Sequence, residues 1–240
     1  MWITNQLGVA SWTDAGTEWE LDARGGQAIC LGWPNEAAVR FKPVDDSTLP
    51  AADEQFVRGR CWNVNYPQAD HRLALRIAFE PIETTADSIL LEATISIQTD
   101  LLDSHPKIDI QSDANSIKTL NVPGASQHPA SQPGASQHPA SQPGASQHPA
   151  SQSGAAPVTI AKSDTTFVAI FLGTHDSPFT TELSTPESLQ LRLFGEFLEK
   201  GVIRKARPWI LISRAKQEPS ESELQAIWQR LAGRPLPLAS

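Results

Sequence analysis

Hydrophobic and polar side chains alternate along the middle of the chain. In residues 89–97 every second position is Ile, Leu or Ala, and the positions between them include Glu92, Thr94 and Ser96. Successive side chains of a β-strand point to opposite faces, so this period of two indicates a strand with one buried face. Residues 73–79 repeat the alternation and are soon followed by Pro81. We predict a second strand here, which ends at this proline.

Shorter segments elsewhere also have strand-like composition. Arg24-Gly25-Gly26 is a turn signal, and it predicts a hairpin between residues 19–23 and 27–33. Further strands are predicted from β-forming composition and flanking turn residues at 36–42, 55–64, 158–162 and 166–172. Short strands separated by frequent turns are typical of an antiparallel β-sandwich.

Residues 185–213 fit two local structures. Thr185-Pro186-Glu187 could begin a helix that runs to Lys200. Residues 189–193, however, alternate leucine with polar side chains, and Gly195 would interrupt the helix. We predict a strand at 188–195, a turn at 199–201 and a strand at 202–213, with the helix as the alternative.

A C-terminal amphipathic helix is the clearest single element. Ser220 and Glu223 form a capping box after a proline, and apolar residues follow at helical spacing. Gly233 is predicted to end the helix in a left-handed conformation. We expect the apolar stripe of the helix to pack on a sheet.

A perfect tandem repeat interrupts the strands. Residues 123–152 are three copies of Pro-Gly-Ala-Ser-Gln-His-Pro-Ala-Ser-Gln, without Val, Ile, Leu or aromatic residues. Such a segment buries too little apolar surface to order itself, so we predict a disordered insertion at 121–157. A long loop is tolerated where its ends already meet, which predicts that Leu120 and Val158 lie close together. The fold class is therefore a mainly β protein, a single antiparallel β-sandwich domain formed by 1–120 and 158–240.

Composition and charge narrow the function. The chain has 19 basic and 27 acidic residues and a net charge of −8, which disfavours nucleic-acid binding. No signal peptide is recognisable at the N-terminus, and no apolar run is long enough to span a bilayer. The motifs for nucleotides, cofactors and zinc are missing from the sequence, so we expect no cofactor. These features predict a soluble cytoplasmic protein that is not a membrane protein.

A cluster of carboxylates and one imidazole follows the strand at 89–97. Asp100, Asp103, His105 and Asp109 fall within ten positions. Such groups could bind a divalent metal, and Asp103 with His105 could act as an acid–base pair. Asp, Ser and Pro are also common turn residues, so an ordinary turn is the alternative.

A second histidine, His175, follows the apolar strand at 166–172 and precedes Asp176. A carboxylate beside a histidine can set its tautomer and make it a general base. If His105 and His175 meet at one rim of the sandwich, they could perform mutarotase-like acid–base chemistry on a sugar. That comparison with sugar mutarotases rests on the fold class alone.

Aromatic and amide side chains suggest a sugar-binding function. Indole rings stack on sugars, and Trp62, Asn63 and Tyr66 combine aromatic and amide groups. Most of the seven tryptophans are nevertheless expected to fill the space between the two sheets. We predict a binding or interaction protein whose partner is a carbohydrate or a protein, with a carbohydrate-active enzyme as the alternative.

Basic residues are locally enriched near the C-terminus, at Arg204, Lys205, Arg207 and Arg214. On a strand Arg204 and Lys205 point to opposite faces, so these charges would not form one patch. A charged, solvated sheet face or edge is expected. An anionic ligand is the alternative.

Overall fold

The computed structural model describes residues 1–14, 16–44, 48–68, 73–122, 154–215 and 217–235. Within them, two antiparallel sheets face one another and one α-helix follows at the C-terminal end, so the protein is a β-sandwich, as predicted. The strands are β1 Trp2–Gln6, β2 Val9–Asp14, β3 Thr17–Asp22, β4 Ile29–Trp33, β5 Glu36–Pro43, β6 Glu54–Arg58, β7 Cys61–Tyr66, β8 Ala74–Thr84, β9 Ser88–Gln98, β10 Lys107–Asp113, β11 Ser116–Leu120, β12 Val158–Lys162, β13 Phe167–Phe171, β14 Thr180–Glu182, β15 Ser188–Phe194, β16 Ile203–Ala206 and β17 Trp209–Ser213.

Strands from both sides of the repeat contribute to each sheet. The first sheet has the order β1-β2-β3-β4-β5-β10-β15-β14. The second sheet has the order β11-β12-β13-β17-β9-β8-β7-β6, and β16 also pairs with β9 beyond the end of β17. The helix α1, Glu221–Gly233, packs on the outer face of the second sheet.

Apolar side chains form two buried layers. The larger layer lies between the sheets and includes Trp62, Ile77 and Ile95. The smaller layer lies between the second sheet and α1, where Trp228 packs on β-strand residues such as Phe171. The predicted packing of the helix on a sheet is therefore confirmed, and the helix covers only part of that outer face.

Several predicted elements are confirmed with corrected boundaries. β3 and β4 form the expected hairpin, and residues 188–194 are a strand rather than a helix. The prediction of one strand at 55–64 is wrong, because the chain turns at Gly59, which has a φ of 62°, and forms the two strands β6 and β7. The segment 202–213 is likewise divided, between β16 and β17.

Two predicted stop signals do not act as stops. Pro81 lies inside β8, at a bulge between Pro81 and Glu83 where the ladder is already irregular. Gly233 is the last residue of α1, but its backbone is not left-handed. The helix ends at Arg234, whose backbone is extended.

The connection that contains the repeat leaves and re-enters one hairpin. Leu120 and Val158 are register partners in β11 and β12, which confirms that these flanks lie together. The repeat itself, at 123–152, lies outside the described residues.

No helix among the described residues is long and apolar enough to cross a membrane.

Candidate functional site

An open cleft lies on the outer face of the second sheet, on strands β7, β8, β9 and β16. Its volume is about 860 Å³, and we call it the sheet cleft. Its floor exists because apolar residues of these strands point into the core, so the alternate residues point outward. The end of α1 closes one side through Arg234 and Pro235.

Polar side chains cross the floor of the sheet cleft in rows. Asn63, Ala78 and Thr94 are neighbours in one row, and the small Ala78 leaves space above the centre of the sheet. The next row contains four polar residues, one from each strand: Asn65, Arg76, Ser96 and Lys205. Hydrogen-bonding groups from several adjacent strands therefore face one open space.

A buried carboxylate occupies the end of the sheet cleft next to the helix. Glu92 is 6% exposed and accepts a hydrogen bond of 2.7 Å from Nε1 of Trp209. Its Oε2 also lies 3.4 Å from Arg234 and 3.9 Å from Arg207. Arg234 reaches Glu80, the neighbour of Glu92 across the ladder, at 2.7 Å. Both carboxylates are thus held by cations.

Arg207 fixes the last turn of α1 to the sheet. Its guanidinium donates to the backbone carbonyls of Arg234 at 3.0 Å and Pro235 at 2.5 Å. Because carbonyls at and just beyond a helix C-terminus have no partners within the helix, these bonds satisfy exposed acceptors. The charges at this end of the cleft therefore hold the helix in place.

The opposite end of the sheet cleft carries cations without such partners. Arg76 donates to Oδ1 of Asn63 at 2.9 Å, and its guanidinium lies 5.3 Å from the ring centroid of Phe56. Lys205 is exposed on β16. Among the described residues, neither Arg76 nor Lys205 forms a salt bridge.

Cys61 also lines the sheet cleft, but its thiol is unsuited to nucleophilic chemistry. Burial raises its pKa to about 11, and the negative charges of Glu80 and Glu92 act in the same direction. The thiol is therefore protonated at neutral pH. Burial also raises the pKa of Cys30, and both cysteines are free.

A second cleft of about 440 Å³ lies on the other side of β16 and contains the predicted His175–Asp176 pair. Burial raises the pKa of the Asp176 carboxyl, although the backbone N–H of Arg207 donates to it at 3.0 Å. Phe194 also lines this cleft, and its φ of 66° marks the sharp end of β15.

The predicted histidines lie in different surroundings. His105 is 3.7 Å from Asp103, and its ring centroid is 5.9 Å from that of Phe197. Neither the sheet cleft nor the second cleft has His105 in its described lining, whereas His175 lines the second cleft. The acid–base role of His105, His175 and Asp103 stays a prediction.

Of the residues predicted to bind a metal, Asp109 is held by a cation within a strand, whereas the others lie in the connection after β9. Asp109 is 4% exposed in β10, and Arg192 binds both of its carboxylate oxygens at 2.8 and 3.0 Å. Asp100 and Asp103 are exposed in the connection after β9. Over the described ranges, no group of three or more His, Cys, Asp or Glu side chains is arranged to hold a metal ion.

The predicted sugar-binding group divides between the core and the sheet cleft. Trp62 is 0% exposed, and its indole packs on Trp2 and Phe79. Tyr66 touches the edge of the cleft, but it is 1% exposed and its hydroxyl donates to the carbonyl of Ala23 at 2.6 Å. Asn63 alone of the three belongs to the polar rows of the floor.

The sequence alone does not indicate Arg76 or Glu92 as a site residue, and it shows Lys205 only within a locally basic segment. The alternation in 73–79 and 89–97 places Arg76 and Glu92 on the polar face of their strands. That pattern alone does not show that α1 stops short of this face and leaves a cleft.

No family model matches the chain, and no curated protein matches it either.

Proposed function

We propose that this protein binds a small polyhydroxylated ligand, of the carbohydrate class, in the sheet cleft. The observation that carries the proposal is the grid of polar side chains on four adjacent strands. Amide, hydroxyl, carboxylate and guanidinium groups provide both donors and acceptors, which a ligand with many hydroxyl groups requires.

The arrangement favours binding over hydrolysis of a glycoside. Glycoside hydrolases generally use two carboxyl groups, one of which acts as a proton donor. Glu80 and Glu92 are adjacent across the ladder, but Arg234 contacts both of them and Trp209 donates to Glu92. Through these contacts the two carboxylates hold the end of α1 on the sheet.

The ligand is expected to lie on polar side chains rather than on an aromatic ring. Among the described lining residues, Tyr66 is the one aromatic side chain, and its ring is buried. Because stacking on exposed indoles supplies much of the affinity of many sugar sites, we expect weak, hydrogen-bond-dominated binding.

A glycan array followed by calorimetry with the best neutral oligosaccharide tests this proposal. Thr94→Trp would fill the centre of the sheet cleft and should abolish binding. Thr13→Trp, on the exposed face of β2 in the first sheet, is the matched control and should leave the affinity unchanged. An array without bound saccharides, or equal affinities for the two variants, would contradict the proposal.

A further inference from the structure

We propose that the saccharide carries an anionic substituent, which the row formed by Arg76, Ser96 and Lys205 recognises. This inference rests on the proposed function and specifies the ligand of the same cleft. The substituent is a carboxylate, as in a uronic acid, or a sulfate, since both present oxygen acceptors with a negative charge.

The distribution of charge along the sheet cleft carries the inference. At the helix end, Glu80 and Glu92 lie against Arg207 and Arg234, so opposite charges compensate one another. At the other end no carboxylate belongs to the described lining near Arg76 and Lys205. Among the described residues, Arg76 and Lys205 form no salt bridge, and the exposed carboxylate of Glu54, beyond Asn65 in the same row, accepts a hydrogen bond from the Asn65 amide instead.

The register places the backbones of Arg76 and Lys205 on the two sides of Ser96. Arg76 and Lys205 are each a register partner of Ser96, on the two strands that flank β9. Neighbouring strands are about 4.8 Å apart, so the two backbones are separated by roughly 10 Å. Long side chains at that separation can both reach an anion that lies above Ser96, whose hydroxyl can donate to it.

The guanidinium of Arg76 is oriented before any ligand arrives. Its hydrogen bond to Asn63 on β7 and its position over the ring of Phe56 on β6 hold it on the side of β8 that faces away from Ser96. To meet an anion above Ser96, the guanidinium turns from Asn63 toward β9, where it can give two parallel hydrogen bonds to a carboxylate. Arg76 is thus the directional contact and Lys205 the supporting charge.

The neighbouring residue Arg204 provides a control within the same strand. It precedes Lys205, points to the other face of β16 and pairs with Glu196 at 2.7 Å, and it is not in the described lining of the sheet cleft, whereas Lys205 lines both clefts. Removing its charge changes the net charge of the protein as much as removing that of Lys205 does. A long-range electrostatic effect would therefore lower the affinity for the charged sugar equally in the two variants, whereas a direct contact of Lys205 would lower it only when Lys205 is replaced.

The experiment measures affinity by calorimetry for matched sugars that differ in one substituent. The pairs are glucose and glucuronate, and galactose and galacturonate, as short oligomers, together with sulfated galactose oligomers and the methyl ester of the galacturonate. The wild-type protein should bind the charged member of each pair more tightly than the neutral member, and the methyl ester should behave as neutral. The carboxylate and sulfate arms identify which anion fits.

Variants then locate the contact. Lys205→Met should weaken binding of the charged sugar about threefold to tenfold, and Arg76→Gln should weaken it at least as much. Both should weaken binding of the neutral sugar clearly less than binding of the charged sugar, so the preference for the charged sugar shrinks, and Arg204→Gln should change neither affinity. The preference should also shrink as salt concentration rises.

The outcomes separate this inference from the proposed function. Equal affinity for charged and neutral sugars, with loss of both in Thr94→Trp, would overturn the anionic ligand and retain carbohydrate binding. A loss in Arg204→Gln as large as in Lys205→Met would overturn the assignment to this row. Failure to bind any saccharide, charged or neutral, would overturn both proposals.

Discussion

Adjacent residues of β7 face opposite sides of the second sheet. Trp62 and Asn63 are adjacent in β7, so their side chains point to opposite faces of the sheet. The period of two already required this, since Trp62, Val64 and Tyr66 form the apolar set of the strand. The residue types of Trp62, Asn63 and Tyr66 suggest one shared site, whereas their alternation along the strand places Asn63 on the opposite face from the other two. Asn63 was therefore predictable as an outward residue, and Trp62 as a core residue.

Asp176 provides a prediction about pH. Burial raises its pKa, which means that folding favours the protonated carboxyl. The folded state therefore loses stability as pH rises from the ordinary aspartate pKa through the raised one. We expect Asp176→Asn to stabilise the protein at pH 7, with a gain that disappears below about pH 4.

Urea unfolding of the wild type and of Asp176→Asn between pH 4 and pH 8 measures this gain. Asp100→Asn is a suitable control because Asp100 is exposed in the connection after β9. A constant difference between wild type and Asp176→Asn over this pH range would show that ionisation of Asp176 is not its cause.

At the scale of elements, hydrophobic periodicity predicted the strands and the helix well, whereas prolines and glycines predicted the ends of these elements less well. β9 and α1 have strong two-residue and helical periods, and both lie where the sequence placed them. Pro208 separates β16 from β17, yet its carbonyl accepts from the backbone N–H of Ala93, so the chain continues along β9. Whether a proline or glycine ends a strand thus depends on its partners across the ladder, which a single sequence does not contain.

The capping box of α1 is expected to stabilise the helix. Ser220 accepts a hydrogen bond from the backbone N–H of Glu223, whose side chain accepts one from the backbone N–H of Ser220. Ser220→Ala should lower the free energy of unfolding by about 1 kcal/mol.

Chemical denaturation measures this loss, with Gln229→Ala as the control in the same helix. Gln229 is exposed, and alanine has a slightly higher helix propensity, so its replacement should change the stability by only a few tenths of a kcal/mol. Equal effects of the two substitutions would exclude a specific role for the cap.

At the scale of the whole molecule, the repeat is expected to be dispensable for folding. The partners Leu120 and Val158 are paired by the hairpin itself, and both sides of the repeat supply strands to both sheets. Shortening a loop between ends that already meet changes the free energy by only about 0.6 kcal/mol per halving. Deletion of 123–152 should leave one cooperative transition within a few degrees of the original melting temperature.

Calorimetry of the deleted chain tests this prediction, with a Gly/Ser segment of equal length in place of 123–152 as the control. The control separates the effect of loop length from that of the repeat's composition. Two separate transitions in the deleted chain would contradict a single folding unit formed by 1–120 and 158–240.

The pairing of β11 with β12 has a consequence for natural variation in this chain. A tandem run of identical units is prone to gain or lose whole units when its gene is copied. Each such event inserts or removes ten residues between Leu120 and Val158 and leaves every partner in the ladder unchanged. Individuals that carry different numbers of units should therefore share one folded core and the same cleft.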